Sequence, residues 1–453
     1  MAVTRPRLHN GSHPSKIVPI FHANDVVGNC LDDNSAGSLR SVVTAAANGD
    51  TIDLSGLGCS TITLTHGAIS IGQTGLIFQG PTPVPPAVGP TLTIDGNGGA
   101  GIIYSSQDVT INNLGLTHTS LVVTDGTASG GCVYTRYDTT LNDSTVTNCS
   151  ATGARATGGA IYSYYGAVTV TNSTISGNTV TASTTSASTA KSAQAAAGGV
   201  YSYAALTVTG STISDNSAVV GTIANPAVTT SAHSFGGGIS ISRGQYFYSP
   251  ANDDISNSTI SGNSAEFAGG VYAAGEFTLT NTTVSGNTAS INGGGLRALY
   301  TGTLYLQNST IAFNTGGSGG GVVLPLYGTA TFNSLIVSNN VSTYAGYSGD
   351  VDAFNTITVA GANNLVMDSD ATTVTFASAP ITSDPLLAPL ANNGGPTQTH
   401  ALKKGSPAID TGNNVAALAT DQRGVGFPRT IGPATDIGAF ELDLIFADGF
   451  EGP

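Results

Sequence analysis

The sequence predicts an all-β fold: a single-stranded, right-handed parallel β-helix with a short N-terminal capping helix and an irregular C-terminal cap. Three observations predict it. A short unit recurs along the chain, apolar and polar residues alternate around it, and a glycine pair follows some way after each copy. Of the 453 residues, 60 are glycine and only 9% are charged, which fits a solenoid of many tight turns.

The recurring unit is NSTISGN at 172–178. Near-copies of its STISGN part begin at Ser144, Ser211, Ser258, Thr282, Ser309 and Ser334. From Ser144 through Ser173 to Ser334 the steps are 29, 38, 47, 24, 27 and 25 residues, so the shortest steps give the bare coil and the longer ones add loops. Val168, Val170 and Ile175 share one face of the alternating run, as in a strand. Such a unit must stack on its neighbours to bury that face, and parallel crossovers are right-handed.

The last position of each unit predicts an asparagine ladder along one corner of the solenoid. Its members are Asn178, Asn216, Asn263, Asn287, Asn314 and Asn339, with Cys149 in the earliest copy. An asparagine at the same corner of successive coils can hydrogen-bond to the turn backbone and stack on its neighbours. The N-S-T triplets also match glycosylation sequons, but their regular recurrence favours coil corners.

In chain order, the sequence predicts five segments. They are a disordered lead (1–27), an N-terminal cap with the first strands (28–64), the parallel β-helix (65–364), a C-terminal cap packed on the last coil (365–442) and a tail (443–453). One helix is predicted over 38–49, with Ser38 as its N-cap and Gly49 at its end. An amphipathic helix there would cover the open end of the solenoid. The proline-rich residues 81–90 predict a rigid excursion between early coils.

Cysteine content and charge limit the classes of function. Cys30, Cys59, Cys132 and Cys149 show no C-x-x-C spacing, which argues against zinc or redox chemistry. We expect two disulfides, Cys30–Cys59 and Cys132–Cys149, and hence an oxidising compartment. Residues 1–20 lack the apolar core of a signal peptide, so an export signal is either absent from this chain or of another type.

The net charge of −14 makes nucleic acid a poor partner, and no apolar run is long enough to span a membrane. We expect a monomer without a cofactor; a calcium ion is compatible with the composition, but no residue pattern indicates one.

The segments that flank the repeats resemble a known family. They are GNCLDDNSAGSLRSVVTAAANGDTIDLSGLGCSTITL at 28–64, GDVDAFNTITVAGANNLV at 349–366, DPLLAPLANNGGPTQTHALKKGSPAID at 384–410 and TDQRGVGFPRTIGPATDIGAFEL at 420–442. They are similar to bacterial surface proteins of the choice-of-anchor Q, parallel β-helix repeat type. That resemblance implies the β-helix and a secreted or cell-surface location, and it implies no particular activity.

The strands after the glycine pairs supply the candidate binding surface. The first aliphatic residue of each is expected to point inward: Ile103, Val133, Ile161, Val200, Ile239, Val271, Leu296 and Val322. The next residue then faces outward: Tyr104, Tyr134, Tyr162, Tyr201, Ser240, Tyr272, Arg297 and Val323. A second outward row lies two residues on: Ser106, Arg136, Tyr164, Tyr203, Ser242, Ala274 and Leu299. Because adjacent strands are about 4.8 Å apart, the two rows predict a tyrosine-rich strip that contains arginines.

Long insertions are expected to form walls beside this strip. They are 179–197 and 217–235 before the strip strands and 244–255 after one of them. A flat aromatic floor with polar walls suits a sugar chain, and arginines in an acidic chain favour an acidic sugar. The predicted substrate-binding residues are Tyr104, Tyr134, Tyr162, Tyr201, Arg243, Tyr246, Tyr248 and Tyr272. The alternative is that tyrosine is simply a good exposed strand residue that stacks between coils.

The chemistry that fits these residues is β-elimination from a uronic acid, which needs a base and a cation that neutralises the carboxylate. The predicted catalytic residues are Arg136, Tyr164, Tyr203, His233 and Arg297. Hydrolysis would need two spaced carboxylates, and the only pair near the strip, Asp253 and Asp254, is better explained as a turn. The sequence therefore predicts an exported protein that binds an acidic polysaccharide; it leaves open whether the protein is an enzyme, and it favours elimination over hydrolysis if it is one. The alternative is a non-enzymatic adhesin or structural protein built on the same solenoid.

Overall fold

A computed structural model describes residues 24–84, 89–242, 253–299 and 302–443. These residues form one helix, Leu39–Ala45, and strands that pair in parallel into three long sheets. The predicted fold class, a right-handed parallel β-helix, is confirmed. The described part begins inside the predicted lead with a strand, Asn24–Val26, which pairs with Thr51–Asp53 and so extends the solenoid. Residues 1–23, 85–88 and 444–453 lie outside the described ranges.

Each coil contributes strands to all three sheets. Sheet 1 follows the glycine pairs: Ile69–Ile71, Ile103–Ser105, Val133–Thr135, Ile161–Ser163, Val200–Ser202, Ile239–Ile241, Val271–Ala273, Leu296–Ala298, Val322–Val323 and Val351–Asp352. Sheet 2 contains Asn24–Val26, Thr51–Asp53, Leu76–Gln79, Val109–Asn112, Thr139–Asn142, Val168–Thr171, Leu206–Thr209, Asp253–Ser256, Glu276–Thr280, Thr303–Gln307, Thr329–Asn333, Ile357–Ala360 and Val374–Phe376. Sheet 3 contains Thr61–Thr63, Thr93–Gly99, Gly115–Ser129, Thr145–Thr157, Thr174–Ser176, Thr179–Thr184, Ser192–Ala196, Thr212–Ser214, Ser217–Ile223, Ser231–Phe235, Thr259–Ser261, Ser264–Phe267, Thr283–Ser285, Thr288–Asn292, Thr310–Ala312, Thr315–Gly316, Ile336–Ser338, Val341–Ser342 and Leu365–Val366.

The apolar core fills the cylinder and continues from coil to coil. Every predicted inward residue of sheet 1, from Ile103 to Val322, is at most 1% exposed. Successive coils place identical positions opposite each other, so that Val133 pairs with Ile161 and Tyr134 with Tyr162. Because side chains alternate between the two faces of a strand, this register fixes which residues of the strip face outward.

The asparagine ladder is present, with one correction. The Asn178 side chain donates to Asn216 (2.9 Å), and the pattern repeats through Asn263, Asn287, Asn314 and Asn340. The ladder passes through Asn340 and not the predicted Asn339, because the last copy of the unit begins at Leu335, one residue later than predicted, and Thr310 pairs with Ile336. The ladder ends on the buried carboxylate of Asp350, which accepts from both Asn340 nitrogens.

The N-terminal cap contains the predicted helix, and both disulfides join the predicted cysteines. The helix is shorter than the predicted 38–49: Ser38 caps it by accepting from the Ser41 N–H, and the helix ends at Ala45 with Ala46 extended. Both predicted disulfides, Cys30–Cys59 and Cys132–Cys149, are formed. The second lies at the start of the asparagine ladder, where the Cys149 N–H donates to Asn178.

The long insertions extend sheet 3 into a layered projection that we call the wing (residues 119–129, 149–157, 179–196 and 217–235). A coil runs outward along Thr179–Thr184 and returns along Ser192–Ala196, and the next coil does the same along Ser217–Ile223 and Ser231–Phe235. Small side chains, mostly alanines, fill the space between outgoing and returning strands. The returning strands lead straight into the glycine pairs and hence into sheet 1.

The segment 384–442, here called the C-terminal segment, lies along the flank of the solenoid and reaches back as far as Asn257 and Thr259. The cap predicted to pack on the last coil therefore occupies a different place, since strands as late as Leu365–Val366 and Val374–Phe376 still belong to the coils. The C-terminal segment has its own ion pairs: Arg423 contacts Asp421 at 2.6 Å and lies between the rings of Phe427 and Phe440.

Two buried acids predict how stability depends on pH. Burial raises the pKa of Asp350 to about 6 and that of Glu441 to about 7. Such an acid keeps its proton in the folded chain at pH values where the unfolded chain has lost it. The free energy of unfolding therefore falls as the pH rises from about 4 to about 7. We expect the urea midpoint to be higher near pH 5 than near pH 7.5. Asp350→Asn should reduce this difference; a midpoint that rises with pH would contradict the assignment.

Candidate functional site

The outward row of sheet 1 is a stack of tyrosine rings outside the cylinder. Ring centroids are 4.7 Å apart for Tyr104–Tyr134, 5.5 Å for Tyr134–Tyr162 and 5.3 Å for Tyr162–Tyr201. The predicted exposure holds only at one end, because Tyr104 is 53% exposed whereas Tyr162 and Tyr201 are 8% and 9% exposed. Ser240 and Val323, predicted in the same outward row, are also buried.

The wing causes this burial. Ala196, Ala197 and Phe235, at the ends of the returning wing strands, pack against Tyr162 and Tyr201. Burial also raises the pKa of Tyr134, Tyr162 and Tyr201, so these phenols stay protonated near neutral pH. Tyr162 and Tyr201, predicted as substrate contacts, are therefore largely covered by the wing, and the accessible aromatic surface lies at Tyr104, Tyr134 and Tyr164.

That accessible end forms one side of a groove of about 370 Å³, here called the tyrosine groove. Tyr104, Tyr134, Tyr162 and Tyr164 line one side. The wing forms the opposite wall through Leu121, Val123, Thr127 and Ser129. The predicted arrangement of an aromatic surface beside insertion walls is present, but the insertion that builds this wall is 119–129, which sequence reasoning did not single out.

The turn after the sheet 1 strands adds further rings and a cation at the mouth of the groove. Tyr164 lies 4.1 Å from Tyr165 and 6.1 Å from Tyr203, centroid to centroid, and the exposed Arg136 lies 5.7 Å from the Tyr165 ring. The backbone fixes the turn, since the Tyr165 N–H donates to the Arg136 carbonyl. Tyr137 and Tyr165, both at least 40% exposed, were missed by the sequence analysis. Their signal was their position directly after the strip strands, in TRYD and YSYY.

A second cluster, here called the histidine–arginine cluster, surrounds Phe267. His233 lies 5.5 Å from the Phe267 ring, and the Arg297 guanidinium lies 4.7 Å from it and 5.7 Å from the Tyr272 ring. The Glu266 carboxylate is 3.6 Å from His233 Nδ1 and accepts from the Ser234 N–H at 2.7 Å. The cluster thus combines an imidazole, a carboxylate and a guanidinium, and among the described residues His233 Nδ1 has no hydrogen-bond partner. Glu266 was missed because its only sequence signal was its position three residues before a glycine pair.

The predicted catalytic residues therefore fall in two places and do not form one site. Arg136, Tyr164 and Tyr203 lie by the tyrosine groove, whereas His233 and Arg297 belong to the histidine–arginine cluster. Five strand steps separate the coils of Arg136 and Arg297, which is roughly 24 Å at about 4.8 Å per step. Arg136 and Arg297 cannot act on the same sugar ring. Arg243, Tyr246 and Tyr248, also predicted as substrate contacts, lie outside the described residues.

The remaining candidates are structural. Asp253, expected in a turn, lies in a sheet 2 strand, where its buried carboxylate accepts from the Leu206 N–H. His400 is buried between Ser285 and the Ala388 carbonyl, and burial lowers its pKa. Within the described ranges, no three histidine, cysteine or acidic side chains are placed to share a metal ion. The described residues also include no helix with the length and apolarity to cross a membrane.

Comparison with known proteins does not show which family the chain belongs to. No protein-family model matches it, and no curated protein matches it either. Among solved structures it is similar to the crystal structure of pectate lyase Pel9A, with a TM-score of 0.43 and 13% sequence identity over 93% of this chain and 97% of that chain. At these values the likeness carries no information about activity.

Proposed function

We propose that this protein binds an acidic polysaccharide in the tyrosine groove. The observation that carries the proposal is the set of exposed rings along one groove, Tyr104 and Tyr164 within it and Tyr137 and Tyr165 beside it. A tyrosine ring offers an apolar face to a sugar ring and a hydroxyl that can hydrogen-bond to the sugar's own hydroxyls. Exposed aromatic patches of this kind are commonly used for binding.

The charge of the sugar follows from Arg136. This exposed guanidinium lies beside the groove in a chain whose net charge is −14, so it offers a local site for a carboxylate where the protein as a whole would repel one. A guanidinium can also bind a carboxylate through two parallel hydrogen bonds. A polymer long enough to follow sheet 1 from Arg136 would reach Arg297.

We further propose that any cleavage occurs at the histidine–arginine cluster by β-elimination. His233, with the Glu266 carboxylate 3.6 Å from its Nδ1, would take the proton from C5 of a uronic acid, while Arg297 neutralises the adjoining carboxylate. The C–H electrons form the C4–C5 double bond, the C4–O bond breaks, and the departing oxygen takes up a proton. The alternative, a non-enzymatic surface adhesin or structural rod, has the same fold and lacks this step.

Export is part of the proposal, as is a monomeric state. Two disulfides favour an oxidising compartment, and the flanking segments that resemble choice-of-anchor Q proteins favour a secreted or cell-surface location.

The test is a panel of acidic and neutral polysaccharides measured for binding and for the ultraviolet absorbance of unsaturated products. Binding to an acidic member with release of unsaturated ends supports both parts of the proposal. Binding without product contradicts cleavage and favours the adhesin. Absence of binding to every member contradicts the proposed function.

A variant separates binding from chemistry. His233→Gln is expected to lower kcat at least about 100-fold, the loss typical of removing a general base, and to leave polysaccharide affinity unchanged because the tyrosine groove lies several coils away. The matched control is His66→Gln, since His66 is similarly exposed but lies next to Asp32 of the N-terminal cap. Equal activity of the His233 variant and the wild-type protein would exclude His233 as the base.

A further inference from the structure

A second groove, larger than the tyrosine groove, lies where sheet 2 turns into sheet 3. Its volume is about 690 Å³, and we call it the corner groove. One edge is formed by turn residues and the other by outward threonines of sheet 3: Asn113, Asp143 and Asn172, and Thr145, Thr174 and Thr212. Pro396 of the C-terminal segment also lines the groove, as do Thr82, Pro83, Gly89 and Pro90 of the proline-rich excursion. None of the residues assigned above to polysaccharide binding or cleavage lies here.

The threonine row continues beyond the groove. Strand pairing aligns Thr145, Thr174 and Thr212 in register with Thr259, Thr283 and Thr310. The second three are covered by the C-terminal segment, to which they hydrogen-bond. Thr259 donates to the Gln398 carbonyl at 2.6 Å, Thr283 donates to the Gln422 side chain at 2.6 Å, and Thr310 accepts from the Ala439 N–H at 3.1 Å.

The turn residues between sheets 2 and 3 show the same division between covered and open coils. In the covered coils their side-chain amides donate to backbone carbonyls of the C-terminal segment: Asn281 to Thr420 (3.1 Å), Asn308 to Asn413 (2.9 Å) and Asn363 to Thr411 (2.9 Å). In the open coils, the equivalent Asn113, Asp143 and Asn172 side chains make no hydrogen bond to any residue that the structure describes. Among the described residues, the same surface is thus covered by polypeptide in one half and left uncovered in the other.

We propose that the corner groove binds an extended polypeptide segment of a partner, in the way that the covered half binds this chain's own C-terminal segment. Asn113 and Asn172 would donate to backbone carbonyls, and the three threonines would meet backbone amides or polar side chains. Asp143 stands where the covered coils carry asparagine, and a carboxylate only accepts hydrogen bonds. The bound segment must therefore present an N–H group or a lysine at that coil.

The experiment selects a displayed random-peptide library on the immobilised full-length protein. Bound peptides are then tested against Thr174→Arg, which fills the middle of the groove. The matched control is Thr169→Arg, an outward threonine of sheet 2 in the same coil. Thermal unfolding verifies that both variants are folded.

We expect enriched peptides to lose at least about tenfold in affinity for Thr174→Arg, to retain affinity for Thr169→Arg, and to carry a lysine or asparagine at one position. Absence of enriched peptides, or equal binding to both variants, would overturn the proposal. A third result would also overturn the proposal: an oligosaccharide binds the wild-type protein but not Thr174→Arg, and no peptide shows this difference. That result would assign the groove to sugar. Because none of these readouts uses the tyrosine groove, the proposal can fail independently of the proposed function.

Discussion

Asn340→Ala is expected to lower the free energy of unfolding by about 3 kcal/mol or more, because it removes one complete rung of the asparagine ladder. Asn340 Oδ1 accepts from the backbone and side-chain nitrogens of Asn314, and its Nδ2 donates to the Ile311 carbonyl and to Asp350. Truncation leaves several of these buried groups without a partner, at about 1–3 kcal/mol for each. Urea unfolding followed by far-ultraviolet circular dichroism measures the loss.

The adjacent asparagine supplies the control. Asn339 is half-buried and has a φ of 57°, and among the described residues its side chain hydrogen-bonds only to Ser338. Asn339→Gly keeps a residue that tolerates positive φ and should change the unfolding free energy by less than about 0.5 kcal/mol, as for most substitutions outside packed features. Equal losses at both positions would contradict the register in which Asn340 occupies the ladder. Because each coil interacts mainly with its neighbours, a solenoid can depart from two-state unfolding, and a single unfolding free energy is then poorly defined. The urea midpoints of the two variants are therefore compared.

The double variant Tyr104→Ser with Tyr164→Ser is expected to weaken polysaccharide binding about 100-fold. Each exposed ring that becomes covered by a sugar contributes about 1.5 kcal/mol of apolar burial, and about 1.4 kcal/mol corresponds to a factor of ten. Both rings are accessible and neither belongs to the cylinder core, so the fold should be retained. Titration calorimetry with the polysaccharide identified by the panel measures the change in Kd.

The matched control replaces two exposed tyrosines elsewhere, Tyr305 and Tyr327, with serine. This variant loses as many rings but none from the tyrosine groove, and its affinity should equal that of the wild-type protein. If both double variants bind alike, the tyrosines of sheet 1 only stack between coils. Tyr162→Ser is a poor substitute for either variant because its ring is buried beneath the wing, so it would lower stability before it changed a binding surface.

The coil register could be predicted because strand periodicity leaves only two orientations for each side chain, into the cylinder or out of it. The glycine pairs precede the sheet 1 strands from Ile103–Ser105 to Val322–Val323, so placing Ile161 inward forces Tyr162 outward. The same reasoning gave the ladder position to Asn339, which is one residue too early. The last copy of the unit begins at Leu335 and not at Ser334, so Asn340 takes the ladder position.

Exposure could not be predicted, since it depends on where the insertions fold. The lengths of 179–197 and 217–235 were visible in the sequence, but their return over Tyr162 and Tyr201 depends on long-range pairing with Gly115–Ser129 and Thr145–Thr157. The position of the C-terminal segment could not be predicted for a related reason. Its contacts, such as Gln422 with Thr283, join residues 139 apart in sequence, and no local pattern encodes them.

Chemical labelling of the unmodified protein measures whether the exposed rings of the tyrosine groove contact a polysaccharide. Tyrosine acetylation is followed by mass spectrometry with and without saturating polysaccharide, comparing Tyr104, Tyr137, Tyr164 and Tyr165 with Tyr305 and Tyr327. We predict that the polysaccharide slows labelling of the first four and leaves the other two unchanged. Unaltered labelling of Tyr104 and Tyr164 in the bound state would contradict the claim.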